Sequence, residues 1–200
     1  MGKNKLEKGI SLYKSAHPDT KDTFSTTWLP FYLNPAAPKE GVDKRQYYKS
    51  KFGEGRTQMI FERLDVAGKE VGINFNFGGK TGNTRDSHRL IQLGKTKSPQ
   101  VQTRVVEELF KAYFEDERDI TSHGVLREAG VKAGLDEAEV REWLGSDKGG
   151  KEVDKEVREA QMASISGVPN FTVQGKYEIG GAQDPAAFVQ IFERIKAIEG

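Results

Sequence analysis

No cysteine occurs anywhere in the 200 residues. That absence removes disulfides, thiolate nucleophiles, cysteine-ligated zinc and iron–sulfur clusters from the chemistry these residues can perform. Charge of one sign is missing as well. Lys and Arg number 31 against 30 Asp and Glu, a formal net charge of +1. Proteins that bind polyanions carry a basic patch, so no nucleic-acid partner is expected. No apolar run approaches the roughly 18 residues of a membrane helix. The polar start MGKNKLEKG also lacks the apolar centre of a signal peptide. A cytoplasmic protein with no membrane contact is the expectation. Internal repeats and low-complexity tracts are absent too. What remains is oxygen, nitrogen and aromatic chemistry on a chain that is 36% apolar and 30% charged. That composition fills a core beneath a well-solvated surface, and the length suits one generous domain or a core with an inserted subdomain.

Periodicity orders the chain. Leu6, Ile10 and Tyr13 recur at helical spacing and His17-Pro18 ends that helix, since a residue before proline leaves the helical region. Thr23 to Leu33, TFSTTWLPFYL, is rich in β-branched and aromatic residues and predicts a strand whose regular pairing stops or reaches an edge at Pro30. From about Asp43 to Ser164 the pattern is mostly helical. Met59, Ile60, Leu64 and Val71 mark one helix, and Ile73 to Asn83 interrupts it with an extended segment and a turn. Another helix runs through Ser87–Leu93. Ser98-Pro99 places serine at an N-cap and proline at the first helical position. Ser122 opens a further helix, Asp136 and Glu139 form a capping-box variant, and Lys148-Gly149-Gly150 turns into a charged helix. The tail then alternates around Gln174-Gly175-Lys176 as a hairpin. Asp184-Pro185 starts a last helix with Phe188, Ile191, Phe192, Ile195 and Ile198 turned inward. Helix, strand, helical block, hairpin, helix is an α/β order with a helical insertion.

Local motifs are few. GVPNF, Gly167 to Phe171, sets a proline directly before the hairpin; X–Pro base rates alone favour a trans bond there. Asn83, Asp86, His88 and Arg89 share the stretch NTRDSHRL, in which His88 can serve as a general base or hydrogen-bonding group. A histidine on a helix also commonly serves packing alone. Trp28, Phe31, Phe75 and Phe77 can line a pocket for a flat ligand or fill the core. Gly79-Lys80-Thr81 and Gly94-Lys95-Thr96 fail the phosphate-loop spacing, because Asn74 and Arg89 stand where the first glycine belongs. The sequon Asn170-Phe171-Thr172 falls in a predicted strand and is discounted. His17, His88 and His123 lack ligand spacing, so no metal is expected.

The joint order of LEKGISLYKSAHPDT, TWLPFYLNP, GINFNFGGKTGNTRDSHRLI, LFKAYFEDERDI, ISGVPNFTV and IGGAQDP resembles the DsbA-like thioredoxin family over nearly all of the chain. It is most similar to the FrnE-type branch, which itself resembles 2-hydroxychromene-2-carboxylate isomerases and kappa-class glutathione transferases. The resemblance implies a thioredoxin-like α/β fold with a large all-helical insertion. Its core would be residues 1–38 and 165–200, and its insertion 39–164. It also implies a cis Val168-Pro169 bond facing the substrate, and a groove-facing role for the NTRDSHRL segment, where Ser87 replaces the family's alanine.

The departure matters equally. Family members begin with a strand leading to C-x-x-C at the first helix, whereas this sequence starts at that helix with Met1-Gly2 and lacks both. The first central strand is thus missing, and its neighbours, Thr23–Leu33 and Asn170–Val173, would expose unpaired edges. Three resolutions are open: the two strands pair directly, a second copy completes the sheet in a homodimer, or the sequence is a shortened form of a longer chain.

Three functional classes follow. One is a cofactor-independent, non-redox isomerase or cyclase acting on a small aromatic or polyketide-like molecule. There His88 and Asn83 would be catalytic, with Val168, Pro169, Trp28, Phe75, Phe77 and Arg89 contacting substrate. The second is a thiol-disulfide oxidoreductase in a longer parent chain. The third is a non-catalytic ligand- or peptide-binding module.

Overall fold

The computed structural model describes residues 1–199. In chain order its elements are α1 (Gly2–Ala16), β1 (Val42–Asp43), α2 (Lys44–Phe52), α3 (Glu54–Lys69), β2 (Lys80–Thr81), α4 (Arg85–Lys97), α5 (Pro99–Phe114), α6 (His123–Lys132), α7 (Glu137–Gly145), α8 (Gly150–Met162), β3 (Asn170–Val173), β4 (Tyr177–Gly180) and α9 (Pro185–Glu199). They fall into two compact units. Met1–Ser25 joins the chain from Ser164 onward in one, and Thr26–Ala163 forms the other.

The first unit packs α1 and α9 with the β3–β4 hairpin. α1 ends where His17 turns extended ahead of Pro18. The hairpin is antiparallel, with Asn170 opposite Gly180 and Val173 opposite Tyr177. Its turn needs left-handed backbone at Gln174 and Gly175. Pro185 opens α9, and the Asp184 carboxylate accepts a hydrogen bond from the Ala186 N–H at 2.9 Å. Tyr13, Ile179, Phe188 and Phe192 form the core, with Leu6, Ile10, Phe24 and Phe171 against it. Such aromatic burial contributes on the order of 2–3 kcal/mol per ring. The Tyr13 hydroxyl, inside this core, donates to Asp22 at 2.5 Å, which keeps the buried oxygen satisfied. Ile198, expected inward, is 62% exposed, because it falls off the stripe that Phe188, Phe192 and Ile195 present.

The second unit is helical around Leu90, Leu93, Val105, Leu109, Leu126, Val140 and Leu144. Its helix starts follow local chemistry. Ser98 accepts from Val101 N–H at 3.1 Å ahead of Pro99, and Asp136 accepts from Glu139 N–H at 2.9 Å. Val42 pairs with Thr81 and Asp43 with Lys80 in a minimal antiparallel sheet. The helix anticipated as far as Val71 stops at Lys69.

The strand expected over Thr23–Leu33 does not form. A strand persists only through a neighbouring ladder, and here a side chain takes that place. Trp28 N–H donates to Gln102 Oε1 at 3.0 Å, and Gln102 Nε2 donates back to Trp28 O at 2.8 Å. Gln102 is fully buried, so its carboxamide supplies the donor and acceptor a neighbouring peptide would have offered. Among the described residues β3 pairs with β4 alone.

Candidate functional site

The stretch NTRDSHRL spans the entry and first turn of α4. Asn83 Oδ1 accepts from Arg85 N–H at 2.8 Å, and Asn83 N–H donates to Pro38 O at 2.7 Å. Its carboxamide oxygen thus satisfies one of the orphan donors at the helix start.

His88 stands one turn further along. Its Nδ1 lies 2.7 Å from Thr84 O. A carbonyl only accepts, so Nδ1 carries the proton and Nε2 keeps a lone pair. Burial holds the imidazole down to about 4, which leaves it neutral at physiological pH. Nε2 has no partner among the described residues. Nε2 is not among the unpartnered side-chain atoms fully cut off from solvent there, of which Glu156 Oε2 is the one, so it keeps a narrow contact with solvent. The Tyr32 ring meets the imidazole edge-on, 5.5 Å between centroids.

Tyr32 leads into an ionic network. Its hydroxyl donates to Asp154 Oδ1 at 3.4 Å, and burial together with the Asp154 charge pushes its pKa up to about 12. Arg85 grips Asp154 with two contacts, from Nε at 3.0 Å and Nη2 at 2.9 Å, and reaches Asp147 Oδ1 through Nη1 at 2.6 Å. That guanidinium holds both carboxyls below their ordinary range. Gly150, first residue of α8, lets Arg85 lie against the backbone, where any Cβ would collide with the guanidinium.

Arg89, expected as a substrate contact, is a scaffold residue. It is 2% exposed. Nε donates to Lys148 O at 2.9 Å, Nη1 to Asp86 Oδ1 at 2.8 Å, and Nη2 to the carbonyls of Trp143, at 2.6 Å, and Ser146. These bonds tie α4 to carbonyls in the last turn of α7 and in the turn that follows it.

Three of the four aromatic candidates, Trp28, Phe75 and Phe77, come together. Trp28 meets Phe110 at 6.0 Å and Phe110 meets Phe114 at 5.8 Å; Phe114 then meets Phe75 at 5.5 Å. The row continues from Phe75 to Phe77 at 6.1 Å, and Phe77 stacks on Phe61 at 4.4 Å. Trp28 is pinned by its indole N–H, which donates to Thr103 Oγ1 at 3.0 Å. This row shares the second unit with His88 without touching it. Val168 and Pro169 belong to the first unit. Their peptide bond is cis, Val168 is 49% exposed, and Pro169 packs on Gly2 at the start of α1.

Tyr32, Arg85 and Asp154 escaped the sequence reading. Tyr32 lies in a run that reads as strand, and Asp154 sits among the alternating charges of α8. Their partners are 69 and 122 residues away in sequence, beyond any local pattern. Among the described residues no three His, Asp or Glu side chains converge as a metal site requires. No helix among them is long and apolar enough to cross a membrane.

Residues 1–193 match the model of the DSBA-like thioredoxin domain. The chain belongs to the DsbA-like thioredoxin family. Its mostly helical structure with small sheets is a DsbA-like thioredoxin fold of the α/β class with a helical insertion. A probable DsbA oxidoreductase from Streptomyces coelicolor superimposes with a TM-score of 0.81 at 26% identity, over 96% of this chain and 82% of that one. A putative protein disulfide isomerase from Nitrosomonas europaea gives 0.62 at 12% identity, over 98% and 94%, a likeness of fold alone. Among curated proteins none matches. The activity named for those structures needs a sulfur nucleophile, and these 200 residues hold no cysteine.

Proposed function

We propose that this family member is a cofactor-independent, non-redox enzyme of the isomerase or cyclase type, acting on a small aromatic or polyketide-like molecule. One observation carries the reading: His88 is neutral, its tautomer is set by Thr84 O, and its Nε2 lone pair is unpartnered. Such a nitrogen can take a proton from a substrate atom and return it to another. No atom is lost and no electron leaves, so no thiol and no cofactor is needed. Asn83 holds the entry to α4 and thereby sets the turn on which His88 stands. Trp28, Phe75 and Phe77 supply apolar surface suited to flat rings. Val168 and Pro169 are proposed as a ligand contact of the first unit, taken by itself.

Exchange of solvent deuterium into a carbon acid tests it. The protein should catalyse washout of the α-protons of an aryl ketone such as 1-phenyl-2-propanone, followed by NMR, and His88→Ala should abolish the excess rate. Equal rates for both proteins would remove His88 from the chemistry. Insulin reduction, run in parallel, should stay at background.

A second reading, a ligand-binding module without turnover, is favoured by the commitment of Asn83 and Arg89 to the scaffold. Ligand stabilisation in thermal shift without deuterium exchange would select it. Within the family we assign the chain to the FrnE-type branch, supported by the order of its segments; a cytoplasmic location belongs to the same proposal. We further assign a homodimer contact to the edge of β3 left unpaired by β4, which offers backbone donors and acceptors to a second copy.

A further inference from the structure

Two guanidiniums lie on the helix that carries His88, and neither offers a free charge. Arg85 is bound to Asp154 through two contacts and to Asp147 through a third. Arg89 is bound to Asp86 and to three backbone carbonyls. The second oxygen of Asp86 is taken by His123 Nε2 at 2.7 Å, and Lys148 directs its ammonium to Glu142 at 2.5 Å. What His88 itself presents is a lone pair, because Nδ1 carries the proton and donates it to Thr84 O. An incoming carboxylate would set acceptor against acceptor, with neither guanidinium of α4 free to compensate its desolvation. A hydroxyl or N–H donor would meet the lone pair directly, beside the edge-on ring of Tyr32.

Taking His88 as the ligand-facing group, as the proposed function does, we infer that its site selects neutral ligands of the phenol or enol class and rejects carboxylates of the same shape. The discrimination arises as much from what the site refuses as from what it binds. The neutral state of the imidazole across physiological pH agrees with it.

The probes are 2-naphthol and 2-naphthoate, which share a ring system and differ in charge at pH 7. Both are titrated into the whole chain labelled with 15N-histidine. At pH 7, 2-naphthol should move the His88 Nε2 resonance and bind at least about tenfold tighter than 2-naphthoate, the ratio expected when one buried hydrogen bond is made or lost. If 2-naphthoate binds equally well or better while moving the same resonance, the charge selection is wrong and His88 stands as the ligand-facing group. If neither probe moves it, or 2-naphthol binds elsewhere, the reading of His88 fails and the selection falls with it. A second arm uses Asp147→Asn, on a carboxylate whose side chain is 65% exposed, so the fold should hold. Releasing one contact of Arg85 should strengthen 2-naphthoate binding at least about threefold and leave 2-naphthol unchanged. An unaltered 2-naphthoate affinity would count against the committed guanidinium as the cause.

Discussion

At the scale of single residues, His88 couples the site to stability. Its folded pKa is held down to about 4, against an ordinary value of 6.5. Above pH 6.5 both folded and unfolded chains carry a neutral ring, and stability is at its full value. Between 6.5 and 4 the unfolded chain takes up a proton that the folded one refuses, so stability falls with pH, by roughly 2–3 kcal/mol at the lower end. Urea unfolding of the wild type and His88→Gln across this range should show the difference between them shrinking in that window and flat above it; parallel curves would mean the ring is not buried neutral. Arg89 makes a second residue-scale test. Arg89→Leu removes a buried cation that Asp86 and the carbonyls of Trp143, Ser146 and Lys148 accept from, a loss of about 3–5 kcal/mol measurable by the same titration.

Elements show where sequence patterns reach and where they stop. The starts of α5, α7 and α9 were legible because a cap and the N–H it accepts lie within three residues of each other: Ser98 and Val101, Asp136 and Glu139, Asp184 and Ala186. The hairpin was legible for the same reason, as its turn residues sit between the strands they join. Thr23–Leu33 was not, because β propensity describes a half-buried extended surface and says nothing of whether a ladder is available. The partner that Trp28 found is Gln102, 74 positions away. Gln102→Leu should therefore cost about 2–4 kcal/mol by stranding two backbone groups, and hydrogen exchange should report much faster exchange at the Trp28 amide. An unchanged amide would show that the carboxamide is not its protection.

The whole molecule is assembled unevenly along its chain. The first unit draws on both ends of the sequence, whereas the second is continuous from Thr26 to Ala163. Closing the long loop between the two halves of the first unit carries an entropic cost that its small core must offset. Phe188, wholly buried at the centre of that core, should be its weak point. Phe188→Ala should lower the first unit's stability by about 3–5 kcal/mol. Hydrogen exchange would then rise across α1, β3, β4 and α9 while α4, α5 and α7 stay protected. Uniform loss of protection would show the two units to unfold as one.

By composition alone the sequence left no thiol among these 200 residues, and its local patterns named the helix starts, the hairpin and the family, since each of those signals is complete within a few residues. The tertiary structure decided what could not be local. It denied Thr23–Leu33 a ladder, turned Arg89 into a brace, and gathered Trp28, Phe75 and Phe77 into one row. It also gave His88 its neutral charge and a free Nε2, with Tyr32, Arg85 and Asp154 as neighbours. Charge state and hydrogen-bond partners depend on groups brought from distant positions, and only packing sets those.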